Sequence, residues 1–186
     1  MTSSSDFQYK IALIGDGGVG KTAFVKRHQT GEFEKSYHPT PLTENSSLTL
    51  YTNQGKVTLE IDDCGGQHAY THGRQDCYQK ADGCLLFYDL TSRVTYKSLP
   101  RWYQEFRTVS QAPVVMCGSK VDCKDLKVTQ KETIFPTTVQ CQHFRVSAKS
   151  NTDFEKPFLS LLRQLMQKPD LQFVEAPAKL PPEIKI

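Results

Sequence analysis

The chain has 186 residues, of which 38% are hydrophobic, and a formal net charge of +3. This length and this ordinary composition predict one globular domain with its own core, and the small net charge gives no reason to expect binding to nucleic acid or to a membrane surface. No apolar stretch reaches the roughly 18 to 20 residues that cross a bilayer, and we expect no signal peptide and no lipid anchor. The protein is therefore expected to be intracellular, and its six scattered cysteines to be reduced thiols.

Short β-like runs alternate with helix-like segments along the chain, a pattern that predicts an α/β fold with a six-stranded, mostly parallel sheet. The predicted strands are 9–14, 47–52, 56–61, 83–88, 113–117 and 140–146, and a hairpin turn at 53–55 makes one of them antiparallel. The predicted helices are 21–29, 72–80, 92–109, 129–134 and 152–167. The domain is thus expected at 9–168, between a flexible N-terminus at 1–8 and a Pro-rich segment at 169–186 that either lies on the domain or forms a loose tail.

A complete phosphate-binding loop, Gly-Asp-Gly-Gly-Val-Gly-Lys-Thr, follows the first predicted strand and opens into a predicted helix. Its glycines let backbone N–H groups approach phosphates closely, Lys21 neutralises the outer phosphates, and the Thr22 hydroxyl is suited to Mg²⁺. The motif predicts that the protein binds a nucleoside triphosphate. The predicted contacts are Gly15, Asp16, Gly17, Gly18, Val19, Gly20, Lys21, Thr22 and Ala23.

A second motif, Asp63-Cys64-Gly65-Gly66-Gln67, follows the third predicted strand. The carboxyl ends of parallel strands are where an α/β sheet binds ligands. Asp63 can hold Mg²⁺ through a water, and the Gly66 N–H can reach a γ-phosphate. Gln67 is the predicted catalytic residue, because an amide that donates and accepts can orient an attacking water. The adjacent Cys64 is interpreted as a small side chain that fills space.

Two further motifs predict guanine as the base. Asp122, in Ser119-Lys120-Val121-Asp122, can accept hydrogen bonds from guanine N1–H and the 2-amino group, which adenine cannot supply. The stem of Lys120 would lie across the purine. In Ser147-Ala148-Lys149 the N–H of Ala148 can donate to guanine O6. A P-loop ATPase or kinase is the alternative, and competition of ATP against labelled GTP would decide between them.

These motifs resemble those of the small GTPases of the Ras superfamily, and the segments between them are similar to its Ran branch, the nuclear-transport GTPases. The similar segments are 26–28, 30–35, 91–97, 147–151, 154–158 and parts of 173–183. The resemblance implies the P-loop small GTPase fold with about five flanking helices, GTP or GDP with Mg²⁺, and two switch segments. It also implies that Phe33 contacts the base edge, that Lys35 and Tyr37 belong to the nucleotide site, and that Thr40 is a second Mg²⁺ ligand.

The resemblance further implies slow hydrolysis of GTP, a GTPase-activating protein, an exchange factor and importin- or exportin-like receptors. It implies a monomer without direct contact to nucleic acid, located in nucleus and cytoplasm. Three departures change these expectations: Ser119 replaces an Asn, Pro39 and Pro41 flank Thr40, and 136–139 replaces a basic run. We expect nucleotide affinity weaker by about 1–2 kcal/mol, a stiffer switch and weaker receptor docking. The alternative function is a guanine-nucleotide-binding interaction module with little or no hydrolysis.

Overall fold

The protein is described by a computed structural model that covers residues 5–33, 43–64 and 71–176. Six strands form one sheet, and six α-helices and one 3₁₀-helix, Gln130–Glu132, flank it in the described part of the chain. The strands are β1 (Ser5–Ile14), β2 (Thr43–Thr52), β3 (Gly55–Cys64), β4 (Gly83–Asp89), β5 (Val114–Ser119) and β6 (Gln142–Arg145). The helices are α1 (Lys21–Thr30), α2 (Thr71–Gln79), α3 (Arg93–Lys97), α4 (Leu99–Arg107), α5 (Phe135–Thr138) and α6 (Lys156–Met166).

The strand order is β2-β3-β1-β4-β5-β6, and every neighbouring pair is parallel except β2–β3. The predicted α/β fold with one antiparallel strand is therefore confirmed. β4 and β5 are buried along their whole length, as expected for central strands that carry helices on both faces. Because β1 and β3–β6 run in the same direction, their carboxyl ends meet at one edge of the sheet.

The core lies on both faces of the sheet, and alternate strand residues point to opposite faces. In β1, Ile11 and Leu13 join the cluster that includes Phe158 of α6, whereas Ala12 and Ile14 join the cluster of Trp102. The predicted apolar face of α6 is buried at Phe158, Leu161 and Leu162. Full burial of each such side chain stabilises the fold by roughly 1.5–3 kcal/mol.

Several element boundaries differ from those predicted. β1 begins at Ser5, four residues before the predicted start, because β3 supplies hydrogen-bonding partners from Gly55 onwards. The helix predicted at 92–109 is two helices, α3 and α4, that meet at Ser98. Pro100 explains the break, since it lacks an N–H and its ring clashes with the carbonyl four residues earlier.

Two further differences, and the outcome for the Pro-rich segment, concern the C-terminal half. The helix predicted at 129–134 is the 3₁₀-helix followed by α5. α6 begins at Lys156 and not at 152, because Asn151 and Asp153 have positive φ. Residues 169–176 lie on the domain: Leu171 is fully buried, and the N–H of Val174 donates to the carbonyl of Tyr51. In the described parts of the chain, no helix has the length and apolar character needed to span a membrane.

Candidate nucleotide-binding site

The phosphate-binding loop lies between β1 and α1, at the carboxyl edge of the sheet. Gly15 has φ +139°, and a Cβ there would collide with the Phe87 carbonyl of β4, so only glycine fits. Gly20, with φ +96°, precedes α1, whose first turn has no acidic residue and no side-chain cap. The N-terminus of α1 is therefore suited to an anion such as phosphate.

Lys21 folds back over the loop. Its ammonium donates to the carbonyls of Gly15 at 2.9 Å and Asp16 at 3.0 Å, and the residue is only 5% exposed. These contacts place a buried positive charge beside the N–H groups of α1. The remaining predicted loop residues, Gly17, Gly18, Val19 and Ala23, lie in the loop and the first turn of α1.

Thr22 and Asp63 form the predicted metal position. The Thr22 hydroxyl donates to Oδ2 of Asp63, and Oδ1 of Asp63 is buried without a hydrogen-bond partner among the described residues. Burial raises the pKa of Asp63, and the neighbouring Lys21 charge and the Thr22 hydroxyl partly offset that rise. A buried carboxylate oxygen without a partner beside a hydroxyl fits a hard divalent cation, which takes oxygen ligands. The residues present thus fit Mg²⁺, which when bound would neutralise phosphate charge.

Lys120 connects the loop to the sheet. It follows β5 with φ +62°, and its ammonium donates to the Gly18 carbonyl at 2.9 Å and to Oδ2 of Asp89 at 2.6 Å. Asp89 is held in turn by the N–H and hydroxyl of Thr91. The lysine side chain thus links the phosphate loop to the end of β4, and its place across a purine stays a prediction.

The hydroxyl of Ser119, at the end of β5, contacts the phosphate loop. Its hydroxyl lies 2.5 Å from the Val19 carbonyl and 3.0 Å from the Tyr88 carbonyl. Both partners are acceptors, and a hydroxyl has a single hydrogen. That hydrogen is engaged inside the protein, so Ser119 has none left for guanine N7, itself an acceptor. The predicted weakening of base contacts thus has a specific structural basis.

The predicted guanine-reading residues lie next to each other. The buried Ser147 donates to Oδ1 of Asp122 at 2.6 Å and accepts from the N–H of Ser150 at 3.0 Å. Asp122 is exposed, so its carboxylate is oriented by Ser147 and accessible to a ligand. Ala148 and Lys149 form the turn that follows directly. The structure therefore brings together both motifs that the sequence assigned to the base.

One contact of the phosphate loop was missed by the sequence analysis. The indole N–H of Trp102 donates to Oδ1 of Asp16 at 2.8 Å, and Arg101 contacts the same oxygen at 3.2 Å. Trp102 is only 1% exposed, so its ring packs in the core while its N–H contacts the loop. The sequence signal that could have indicated this contact is Asp16, an acidic residue in a loop made mostly of small residues.

Of the remaining predicted site residues, only Phe33 lies in the described part of the chain. Phe33 is partly buried and lies three residues after Thr30, the last residue of α1. The catalytic Gln67 and the predicted contacts Lys35, Tyr37, Thr40 and Gly66 fall at 34–42 and 65–70, outside the described residues. Their roles stay predictions. In the parts that are described, no cluster of three or more His, Cys, Asp or Glu residues is suited to hold a metal.

A family model described as the Ras family matches residues 10–167. The match spans the phosphate-binding loop, all six helices and the motifs that follow β3, β5 and β6. Members of this family generally bind GTP or GDP with Mg²⁺ and interact with activating proteins and exchange factors. The sheet order, the arrangement of these motifs and the family match together show that this chain belongs to the Ras family of small GTP-binding switch proteins.

Proposed function

We propose that the protein hydrolyses GTP slowly to GDP and alternates between two nucleotide-dependent states. The observation that carries this proposal is the contact of the Lys120 ammonium with both Gly18 and Asp89. Lys120 lies two residues before Asp122 in the chain. The contact links the phosphate-binding loop to the segment that carries Asp122, the proposed base-reading carboxylate. A guanine nucleotide that contacts Asp122 would thus have its phosphates directed toward Lys21.

The chemistry asked of these residues is positioning and charge stabilisation, which is most of what phosphoryl transfer requires. Lys21 and the N–H groups of α1 bind and orient the phosphates. Thr22 and Asp63 would hold Mg²⁺, and Gln67 would orient the attacking water. With no further group assigned to the reaction, slow turnover and a need for an activating partner are expected, since supplied groups raise such rates by roughly 10³–10⁵.

Single-turnover hydrolysis separates this proposal from the alternative of a binding module with little hydrolysis. Wild type and Gln67→Leu are loaded with GTP, and phosphate release is followed after adding Mg²⁺. We expect hydrolysis by the wild type and a loss of at least about tenfold in the variant. Equal rates would contradict a catalytic role for Gln67, and no release from either protein would favour the binding module.

The finer proposal is a role like that of the Ran branch in nucleocytoplasmic transport, in nucleus and cytoplasm, with importin- or exportin-like receptors as partners. It is supported by the similar segments at 26–28, 30–35, 91–97, 147–151 and 154–158. The basic run of that branch corresponds here to α5 and Val139, which carry no charge, so receptor docking is expected to be weakened. Pull-downs with GTP-loaded and GDP-loaded protein test this: a receptor retained by the GTP form alone supports it, and no difference contradicts it.

A further inference from the structure

Two buried cysteines lie before and after segment 65–70 in the chain. Cys64 is the last residue of β3, and Cys77 lies on α2. Their sulfur atoms are 2.6 Å apart, and the residues are 2% and 7% exposed. A disulfide bond has an S–S length of about 2.05 Å. Bond formation therefore requires the two sulfur atoms to approach by roughly half an ångström.

The contact is specific to this pair. All six cysteines are described and free, and the remaining four are distributed over other elements: Cys84 in β4, Cys117 in β5, Cys123 after β5 and Cys141 before β6. The pair lies within the apolar cluster of Ile14 and Tyr78. Two thiols that only fill space would lie at van der Waals distance from each other. The separation of 2.6 Å between these sulfur atoms is shorter than that distance.

We infer that Cys64 and Cys77 form a reversible intramolecular disulfide when the protein meets hydrogen peroxide. The sulfur of Cys77, the more exposed residue of the pair, attacks the peroxide, gives a sulfenic acid and releases one water. The second thiol then displaces the sulfenic oxygen as another water, and the S–S bond forms. In sum, two thiols are oxidised and one hydrogen peroxide is reduced to two waters. A dithiol reductant reverses the step by thiol–disulfide exchange.

The consequence for nucleotide cycling rests on the proposed function. The bond joins residues 13 positions apart and closes a ring that contains Gly66 and Gln67. It also ties α2 to the residue directly after Asp63. The chain is then fixed on both sides of Gly66 and Gln67, and the oxidised form is expected to hydrolyse GTP about tenfold more slowly, since misplacement by about 1 Å can cost up to 10²-fold.

Peptide mapping tests the bond without any nucleotide. The purified full chain is reduced, freed of reductant, treated with hydrogen peroxide, alkylated and digested with trypsin. Trypsin separates the two cysteines into peptides 57–74 and 75–80. We expect these peptides joined as one species that dithiothreitol separates, with four of the six thiols still alkylated. Six alkylated thiols, or a different pairing, would overturn the inference.

Single-turnover hydrolysis of the reduced and oxidised forms tests the consequence. Cys77→Ser should be insensitive to peroxide, and Cys141→Ser, outside the pair, should respond as the wild type does. A mapped bond with unchanged hydrolysis would overturn the effect on the switch. If the reduced wild type does not hydrolyse GTP, the proposed function fails, while the mapping still decides on the bond. Because the mapping uses wild type, it does not depend on the folding of any variant.

Discussion

The hydroxyl of Ser119 lies 2.5 Å from the carbonyl oxygen of Val19, so the end of β5 contacts the phosphate-binding loop directly. The contact engages the only hydrogen that Ser119 can donate. An Asn side chain carries two N–H donors and can contact both the loop and guanine N7. We therefore expect Ser119→Asn to strengthen GDP binding by about 1–2 kcal/mol, roughly 5- to 30-fold, measured by calorimetry.

The matched control for this change is Ser47→Asn, on an exposed position of β2. It should leave the affinity for GDP unchanged. Ser119→Ala removes the hydroxyl and leaves buried carbonyls without that donor, so it should lower the free energy of unfolding by roughly 1–3 kcal/mol. Weaker GDP binding by Ser119→Asn would contradict the assignment of Ser119 to the base side of the site.

Asp122 is held by Ser147 and faces solvent, which suits a carboxylate that reads the base. Asp122→Asn replaces an acceptor by a donor toward guanine N1–H and the 2-amino group. We expect GDP affinity to fall by about 100-fold, and xanthosine diphosphate, which carries an oxygen at position 2, to bind better than GDP. Competition titrations measure both effects. Asp125→Asn, at an exposed carboxylate, is the control, and equal loss in the two variants would argue against a role in base recognition.

The environment of Asp63 predicts that GDP binding depends on Mg²⁺. Its Oδ1 lacks a partner among the described residues, and burial raises its pKa, so a cation at this position relieves an unfavourable environment. Chelation with EDTA is expected to accelerate dissociation of labelled GDP from the wild type by about tenfold or more, equivalent to at least about 1.4 kcal/mol. Labelled GDP should dissociate quickly from the Asp63→Asn variant with or without Mg²⁺. Asp76→Asn, on α2, should behave as wild type does, and a Mg²⁺ effect that survives in Asp63→Asn would refute the assigned ligand.

His28 predicts a loss of stability in mild acid. Its ring stacks on Phe154 with centroids 3.6 Å apart, Nδ1 contacts the Phe24 carbonyl, and Nε2 is buried without a partner in the described structure. Burial lowers the pKa of His28 to about 4. The unfolded chain binds the proton near pH 6.5 and the folded protein near pH 4, so stability is complete above pH 6.5 and falls as the pH drops toward 4.

The free energy of unfolding changes by at most about 1.4 kcal/mol per pH unit for each such histidine. His143, whose pKa burial also lowers to about 4, adds a second contribution. Urea unfolding at pH 7, 6 and 5 should therefore show a steep fall for the wild type and a shallower one for His28→Leu. Identical slopes in the two proteins would contradict the buried, neutral state of His28.

The contact between Trp102 and Asp16 predicts a remote effect on the phosphate loop. Trp102→Phe keeps an aromatic ring in the core but removes the N–H that donates to Asp16. We expect GDP to dissociate about fivefold faster, the scale of a hydrogen bond worth about 1 kcal/mol. The control is Tyr103→Phe, the neighbouring residue, whose ring packs on Phe135. An unchanged rate in Trp102→Phe would show that the loop does not depend on this contact.

The sequence was sufficient for the fold class and for the local motifs, because the glycine-rich loop and the continuous apolar runs of β4 and β5 have strong local signals. Helix boundaries were less accurate, since Pro100 and the positive φ values of Asn151 and Asp153 act through local geometry that apolar periodicity does not report. Contacts between distant residues were not predictable. Asp16 with Trp102, Ser119 with Val19, and Cys64 with Cys77 are brought together by tertiary packing alone.

The most direct test of the central claim is calorimetry with nucleotide-free protein in Mg²⁺ buffer, in which GDP and ADP are titrated in parallel. Asp122, oriented by Ser147, offers acceptors that match the N1–H and 2-amino donors of guanine and cannot match adenine. The account predicts binding of GDP at least about 100-fold tighter than binding of ADP, the scale of two hydrogen bonds to a carboxylate. Equal affinity for the two nucleotides would contradict it.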